Sequence, residues 1–88
     1  MSSESYYKKA VMYSVVLTPE LEDGGYSARV PALPECFAQG ETVDEAVSNV
    51  KEAIELLIGH LNGEGKPIPV EDVHPVVVMV DVPATIPA

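Results

Sequence analysis

Fourteen acidic residues stand against five basic ones in this 88-residue chain, and nine of the acids fall into three groups. Glu20, Glu22 and Asp23 share one short stretch, Glu41, Asp44 and Glu45 a second, and Glu71, Asp72 and Asp81 flank the C-terminal apolar run. Two or three carboxylates converging at about 4 Å could hold Mg²⁺ for a nuclease-type reaction. Turn solvation and helix capping already account for most of them, so no metal site is assigned. His60 and His74 have no HExxH or His/Cys spacing around them and read as surface or rim residues. Cys36 is the only cysteine. As a nucleophile it would need a nearby base or cation, whereas Glu35 and Phe37 would raise its pKa, so it reads as a small buried thiol. Gly24-Gly25 and Gly63-Glu64-Gly65 lack the strand–loop–helix context of a phosphate loop and read as turns. Tyr6, Tyr7, Tyr13 and Tyr26 are not interleaved with enough basic residues to stack nucleic-acid bases. The residues assign no catalytic, cofactor or metal role, and favour a protein that works by binding.

The element that must organise such a surface is a helix opened by Gly40-Glu41-Thr42-Val43-Asp44-Glu45-Ala46. Thr42 is the expected N-cap and Glu45, three residues on, closes a capping box in which its side chain reaches back to the Thr42 N–H. Asp44 and Glu45 place negative charge at the positive end of the helix dipole. Ala46, Val47, Val50, Ala53, Ile54, Leu57, Ile58 and Leu61 follow the 3.6-residue period and form one apolar stripe. The spacing predicts a helix over residues 43–62, with Gly63 as its stop and Pro67 forbidding resumption. Ordering that much backbone costs more than burying the stripe returns, so the helix needs a sheet to lie on.

The rest of the chain supplies strands. Tyr6 to Thr18 reads as the first, its surest part being Met12–Thr18 with Tyr13, Val15 and Leu17 on one face. Pro19 to Gly25 is a turn whose Asp-Gly-Gly tolerates positive φ. Tyr26 to Val30 is the second strand, with Tyr26, Ala28 and Val30 alternating against Ser27 and Arg29. Pro31-Ala32-Leu33-Pro34-Glu35 reads as an extended crossing segment, because its two prolines bar it from a central strand. Cys36–Gln39 is a short third strand. After a Gly- and Pro-rich loop, Val73–Val82 is the expected last strand. Its Val76-Val77-Val78-Met79-Val80 core is apolar at every position, as in a strand covered on both faces or lying in a subunit interface. One helix covers only one sheet face. The second face, or the edge of the last strand, is therefore expected to be buried by another copy of the chain. The order is β-β-β-α-β: an α+β fold with a mainly antiparallel sheet of three to four strands and one helix on one face.

Length predicts a single domain over residues 1–88, with 1–5 and 84–88 as flexible tails. A hydrophobic fraction of 47 % and a charged fraction of 22 % are ordinary for a globular protein. No long apolar run predicts a membrane span, and no leader pattern opens the chain. The lone cysteine fits a reducing cytoplasm. The net charge of −9 disfavours direct nucleic-acid binding by this chain and makes a basic partner its electrostatic complement.

The stretch from Gly25 to Ala46 carries Gly25-Tyr26, then Val30-Pro31-Ala32-Leu33-Pro34-Glu35-Cys36, then Gly40-Glu41-Thr42-Val43-Asp44-Glu45-Ala46. In this order and spacing it resembles the N-terminal domain of the HicB antitoxin family. Lys66-Pro67-Ile68-Pro69 before the final apolar run is similar too, so the likeness spans roughly residues 11–82. The resemblance implies a degraded ribonuclease-H-like fold without that superfamily's catalytic acids. It also implies homodimers or higher oligomers, and a partner that is a small basic HicA-type toxin cleaving mRNA. Many members of that family carry a C-terminal DNA-binding domain. This sequence ends soon after its last expected strand, so such a half is expected to be lacking. Pro31, Pro34, Gly40, Thr42 and Glu45 read as structural.

The favoured expectation is thus a stand-alone antitoxin, not an enzyme, that masks its toxin. The acidic turn (Glu20, Glu22, Asp23) and the crossing segment (Pro31, Leu33, Glu35) form the expected contact surface. The alternatives are a residual metal-dependent nuclease on the ribonuclease-H-like scaffold and an orphan structural adaptor.

Overall fold

The computed structural model describes residues 11–87. Tyr6–Ala10, the start of the expected first strand, the tail 1–5 and Ala88 lie outside the described residues. Three strands and one helix follow in the order β1 (Val16–Pro19), β2 (Tyr26–Val30), β3 (Leu33–Gly40) and α1 (Val43–Gly63). The sheet is antiparallel throughout, in the order β1-β2-β3. The α+β architecture read from the sequence is thus the one observed for these elements.

The β1–β2 turn closes with Gly24 and Gly25 at φ of +77° and +79°, the region that Asp-Gly-Gly accommodates without a Cβ penalty. The Glu20 N–H donates to the Gly25 carbonyl and the Gly24 N–H to the Glu20 carbonyl, both at 2.9 Å. At the other end of β2, Pro31 and Ala32 form a tight connection, and Val30 pairs directly with Leu33. Pro31–Glu35 is therefore less a crossing segment than expected. Leu33, Pro34 and Glu35 already belong to β3. Pro34 is tolerated because β3 is an edge strand, where a missing N–H costs no ladder bond on the outer side. The register slips between Arg29 and Val30, so Pro34, Glu35 and Cys36 fall in an irregular stretch of β3 before regular pairing resumes with Arg29 opposite Phe37.

Period-two alternation places Ala28 and Val30 on the inner face, and the irregular stretch of β3 brings both Leu33 and Cys36 there as well, where they meet Ala46 and Val50 of α1. Tyr13, Val15, Leu17, Tyr26, Ala53, Ile54 and Leu57 pack around this centre. The Asn49 side-chain amide donates to the Gln39 carbonyl at 2.8 Å and ties α1 to β3. The helix stop differs from expectation. Gly63 is the last helical residue, and Gly65, at φ +69°, takes the left-handed position. The Lys66 N–H reaches the Leu61 carbonyl at 2.9 Å and the Gly65 N–H the Asn62 carbonyl at 3.1 Å, the paired bonds of a Schellman ending.

Val73–Val82 is not a strand. Every residue from 72 to 87 is exposed, and no backbone partner for this stretch exists among the described residues, so its β-forming sequence has no ladder to join. The radius of gyration, 17.6 Å, exceeds the roughly 12 Å of a ball of this chain length.

Candidate functional site

Three local structures gather polar side chains. The first is the N-terminus of α1. Thr42 is the N-cap, in extended conformation, and its hydroxyl accepts from the Glu45 N–H at 3.1 Å. The Glu45 carboxylate reaches back, but one residue further than expected: it accepts from the Glu41 N–H at 2.7 Å, not from Thr42. This end of the helix abuts the β1–β2 turn. Glu20 and Asp23 from the turn, Glu41 and Glu45 from the helix start, and Tyr26, Gln39 and Gly40 between them line one hollow of about 270 Å³. Two acidic groups far apart in sequence thus form one acidic pole. Glu22 and Leu21 stand at its tip, lining a shallower neighbouring concavity with Glu20 and Asp23.

Pro31 and Glu35 are exposed, but they sit at the far end of β2 from the acidic turn. Five residues of strand separate the two ends, about 17 Å. The two halves of the surface expected from sequence therefore do not meet. Leu33 leaves that surface altogether: it is 0 % exposed, among the largest fully buried side chains. A leucine facing the helix completes the core and presents nothing to a partner.

The second structure is a clasp that sequence reasoning missed. One Glu71 carboxylate oxygen accepts from the Ser14 N–H at 2.8 Å; the other accepts from the Ser14 hydroxyl at 2.5 Å and meets Nδ1 of His74. Hydrogen bonds from Ser14 and His74 hold the Glu71 carboxyl down at about 2 against its ordinary 4.5. The side chain is only 5 % exposed, yet few protein atoms crowd around the carboxyl. Desolvation, which would raise the pKa, is therefore outweighed by the bonds. The Tyr13 hydroxyl adds a bond to the Pro69 carbonyl at 2.6 Å. Tyr13 is shifted up, by burial first and the nearby Cys36 second. Only the Glu-x-x-His spacing of Glu71 and His74 hinted at this clasp; nothing near Ser14 announces it. Serine and histidine both contact the carboxylate rather than each other, so the order of a nucleophilic triad is absent.

The third is Cys36, a buried free thiol. Burial, and secondarily the charge of Glu35, push its pKa up, which keeps it protonated and inert as expected. His60 lies 3.2 Å from Glu64, and Lys66 3.0 Å from the same carboxylate, on the exposed end of α1. Among the described residues no three of His, Cys, Asp and Glu form a group able to hold a metal ion. Among those residues, too, no helix is long and apolar enough to cross a membrane.

Comparison with known proteins places this architecture. The family described as the HicB-like antitoxin of bacterial toxin-antitoxin system matches residues 13–84. The UPF0150 protein ssr1765 of Synechocystis is 49 % identical over 65 residues, covering 74 % of this chain and 81 % of that protein. The UPF0150 protein Ta0767 of Thermoplasma acidophilum is 44 % identical over 66 residues, covering 75 % and 94 %. The matched span begins at Tyr13, whose hydroxyl meets Pro69, and takes in the capped helix, the Glu71 clasp and the apolar segment beyond it. The chain belongs to the HicB-like antitoxin family of bacterial toxin-antitoxin systems.

Proposed function

We propose that this chain is an antitoxin that neutralises a small basic HicA-type toxin by covering its RNA-cleaving surface, without catalysing a reaction of its own. Family membership is the observation that carries this reading. The charge of −9 supports it, and so does the gathering of Glu20, Asp23, Glu41 and Glu45 around one hollow with Glu22 beside it. A cationic protein approaching this pole is steered by the acidic field, and its rate of encounter falls as salt screens it. The acidic pole replaces the surface expected from sequence: Leu33 is excluded by burial, and Pro31 and Glu35 lie at the other end of the sheet.

The test is co-expression with a small basic HicA-type protein, followed by pull-down at rising salt. The expected result is co-purification that weakens with salt, and weakens again in Glu20→Lys/Glu22→Lys/Asp23→Lys. Capture indifferent to both salt and charge reversal discards the acidic pole as the contact. Failure to bind the basic protein or to relieve its toxicity discards the antitoxin reading for that pair.

A further inference from the structure

The segment Val76–Val82 is the feature the antitoxin reading leaves unused. Five valines and Met79 fill it, with Asp81 the sole charge, and its apolar side chains are between 71 and 98 % exposed. Pro75 and Pro83 bracket it, so it is a strand-forming stretch of defined length, about 23 Å when extended. No soluble chain gains by holding such a run in water with its backbone unpaired.

The same molecule contains the complementary surface. The sheet order leaves β1 at one edge, and among the described residues nothing pairs with its outer side. Beside it, between the lead-in to β1 and the flank of α1, lies a mainly apolar groove of about 420 Å³ lined by Val11, Tyr13, Val15, Val47, Ile54 and Ile58, with the opposite charges of Lys51 and Glu55 also in its lining. Val47 and Ile58 belong to the amphipathic stripe, so the groove is the part of that stripe that β1 to β3 do not cover.

The arm is rooted where this edge begins. Glu71 is bonded to Ser14, and Pro69 to Tyr13. Beyond that clasp the chain leaves its own sheet, every residue from 72 onward being exposed. An unpaired strand and an unpaired edge thus sit on one chain, and the arm, exposed along its length, does not occupy its own groove. We infer that Val76–Val82 is an exchange strand that adds to the β1 edge of a second copy and seats one row of valines in that copy's apolar groove. The contact is reciprocal: a two-fold axis places each arm on the other chain's edge, satisfying both sets of backbone groups at once. Alternate residues face opposite ways, so Val76, Val78, Val80 and Val82 form the row that fills the groove. Asp81 takes the other face.

This contact and the toxin contact respond oppositely to salt. Two chains of −9 repel one another, whereas Lys51 and Glu55 cancel in the groove and Asp81 is the arm's one charge, so screening strengthens self-association while it weakens capture of a basic partner.

The experiment uses the full chain. Analytical ultracentrifugation across a dilution series is expected to show a dimer that tightens with salt. Val78→Pro removes one ladder N–H without touching the core and is expected to raise the dimer dissociation constant about tenfold or more, with the helical circular dichroism unchanged. Isotope-filtered NOE spectra of an equimolar mixture of ¹³C-labelled and unlabelled wild-type chains are expected to connect Val78 and Ile54 methyl groups across two molecules. A wild-type chain that stays monomeric, a dimer unaffected by Val78→Pro, or Val78–Ile54 contacts arising only within one labelled chain would each overturn the inference. The filtered spectra decide the matter even if the proline variant fails to fold.

Discussion

Gly40 is pressed against the first turn of α1: a β-carbon built on it would lie 2.3 Å from the backbone nitrogen of Ala46 and 2.8 Å from its Cα. Ala46 is in turn fully buried against the sheet. A β-carbon on Gly25 would likewise stand 2.6 Å from the Gly40 carbonyl oxygen. The start of β2, the end of β3 and the start of α1 therefore meet backbone to backbone. The Gly-Glu-Thr-x-x-Glu-Ala pattern has a mechanical meaning: glycine admits the helix, threonine caps it, and alanine lets it close on the strand.

Gly40→Ala forces either strand or helix to move, because the atoms in its way are backbone. Overpacking of this kind costs about 1–3 kcal/mol, and each kcal/mol is about 4–8 °C of Tm in a domain of this size. Gly59→Ala is the matched control. Gly59 is helical and has open space where its β-carbon would go, so alanine is expected to raise stability by about 0.5–1 kcal/mol. Thermal melts of the two variants should move in opposite directions.

The Thr42 cap and the Glu45 back-bond form a second pair. Thr42→Ala leaves the Glu45 N–H without its partner and is expected to cost about 1 kcal/mol. Glu45→Gln keeps an oxygen for the Glu41 N–H and is expected to melt close to the native chain. Glu45→Ala loses that bond, and the Thr42→Ala/Glu45→Ala double variant should fall short of the sum of the single losses, since the two bonds share one turn. Denaturant titration of the four variants checks this.

Glu71 sets an acid limit on the root of the arm. Its carboxyl is held at about 2 in the folded chain against an ordinary 4.5. The folded state thus binds this proton less readily than the unfolded state does. The stabilisation is present in full above about 4.5 and is lost as the pH falls towards about 2. Glu71→Gln should flatten that part of the stability–pH curve and leave the slope above it unchanged. Ser14→Ala, which removes one of the two Ser14 bonds, should flatten it partly. Urea melts between pH 2 and 6 separate the three.

The parts of this molecule that were legible in its sequence are those governed by local rules. The helix stripe, the Thr42 cap, the Gly24-Gly25 turn and the alternation of Tyr26, Ala28 and Val30 each follow from a period or a single backbone requirement. Cys36 was legible as a buried thiol for the same reason. What misled was non-local. Leu33 looked exposed because it stands between two prolines, yet the short Pro31-Ala32 connection turns it into the core. Gly63 was the helix stop expected from sequence; the bonds from Gly65 and Lys66 place the left-handed residue two positions later. Val73–Val82 has the composition of a strand, but a strand exists only where a partner edge meets it. The Glu71 clasp joins residues 57 positions apart, a distance no spacing rule covers. The acidic pole, likewise, needed the fold to bring Glu20 beside Glu45.

Leu21 stands 95 % exposed among Glu20, Glu22 and Asp23. No packing among the described residues explains an apolar side chain at the tip of an acidic turn, so replacing it should leave stability within about 0.5 kcal/mol. If the acidic pole receives the basic partner, Leu21 is the side chain that contact would desolvate at its centre, with the carboxylates forming the charged rim. Charge reversal at the rim acts on the rate of encounter, whereas loss of a central apolar contact acts on the lifetime of the complex. Leu21→Ser is therefore expected to melt like the native chain and to bind the partner with an unchanged association rate. Its dissociation should be faster by about fivefold, corresponding to about 1 kcal/mol. Surface plasmon resonance on Leu21→Ser and Glu22→Lys side by side makes the distinction: an effect of Leu21→Ser on association alone, or none on either rate, would place the contact elsewhere.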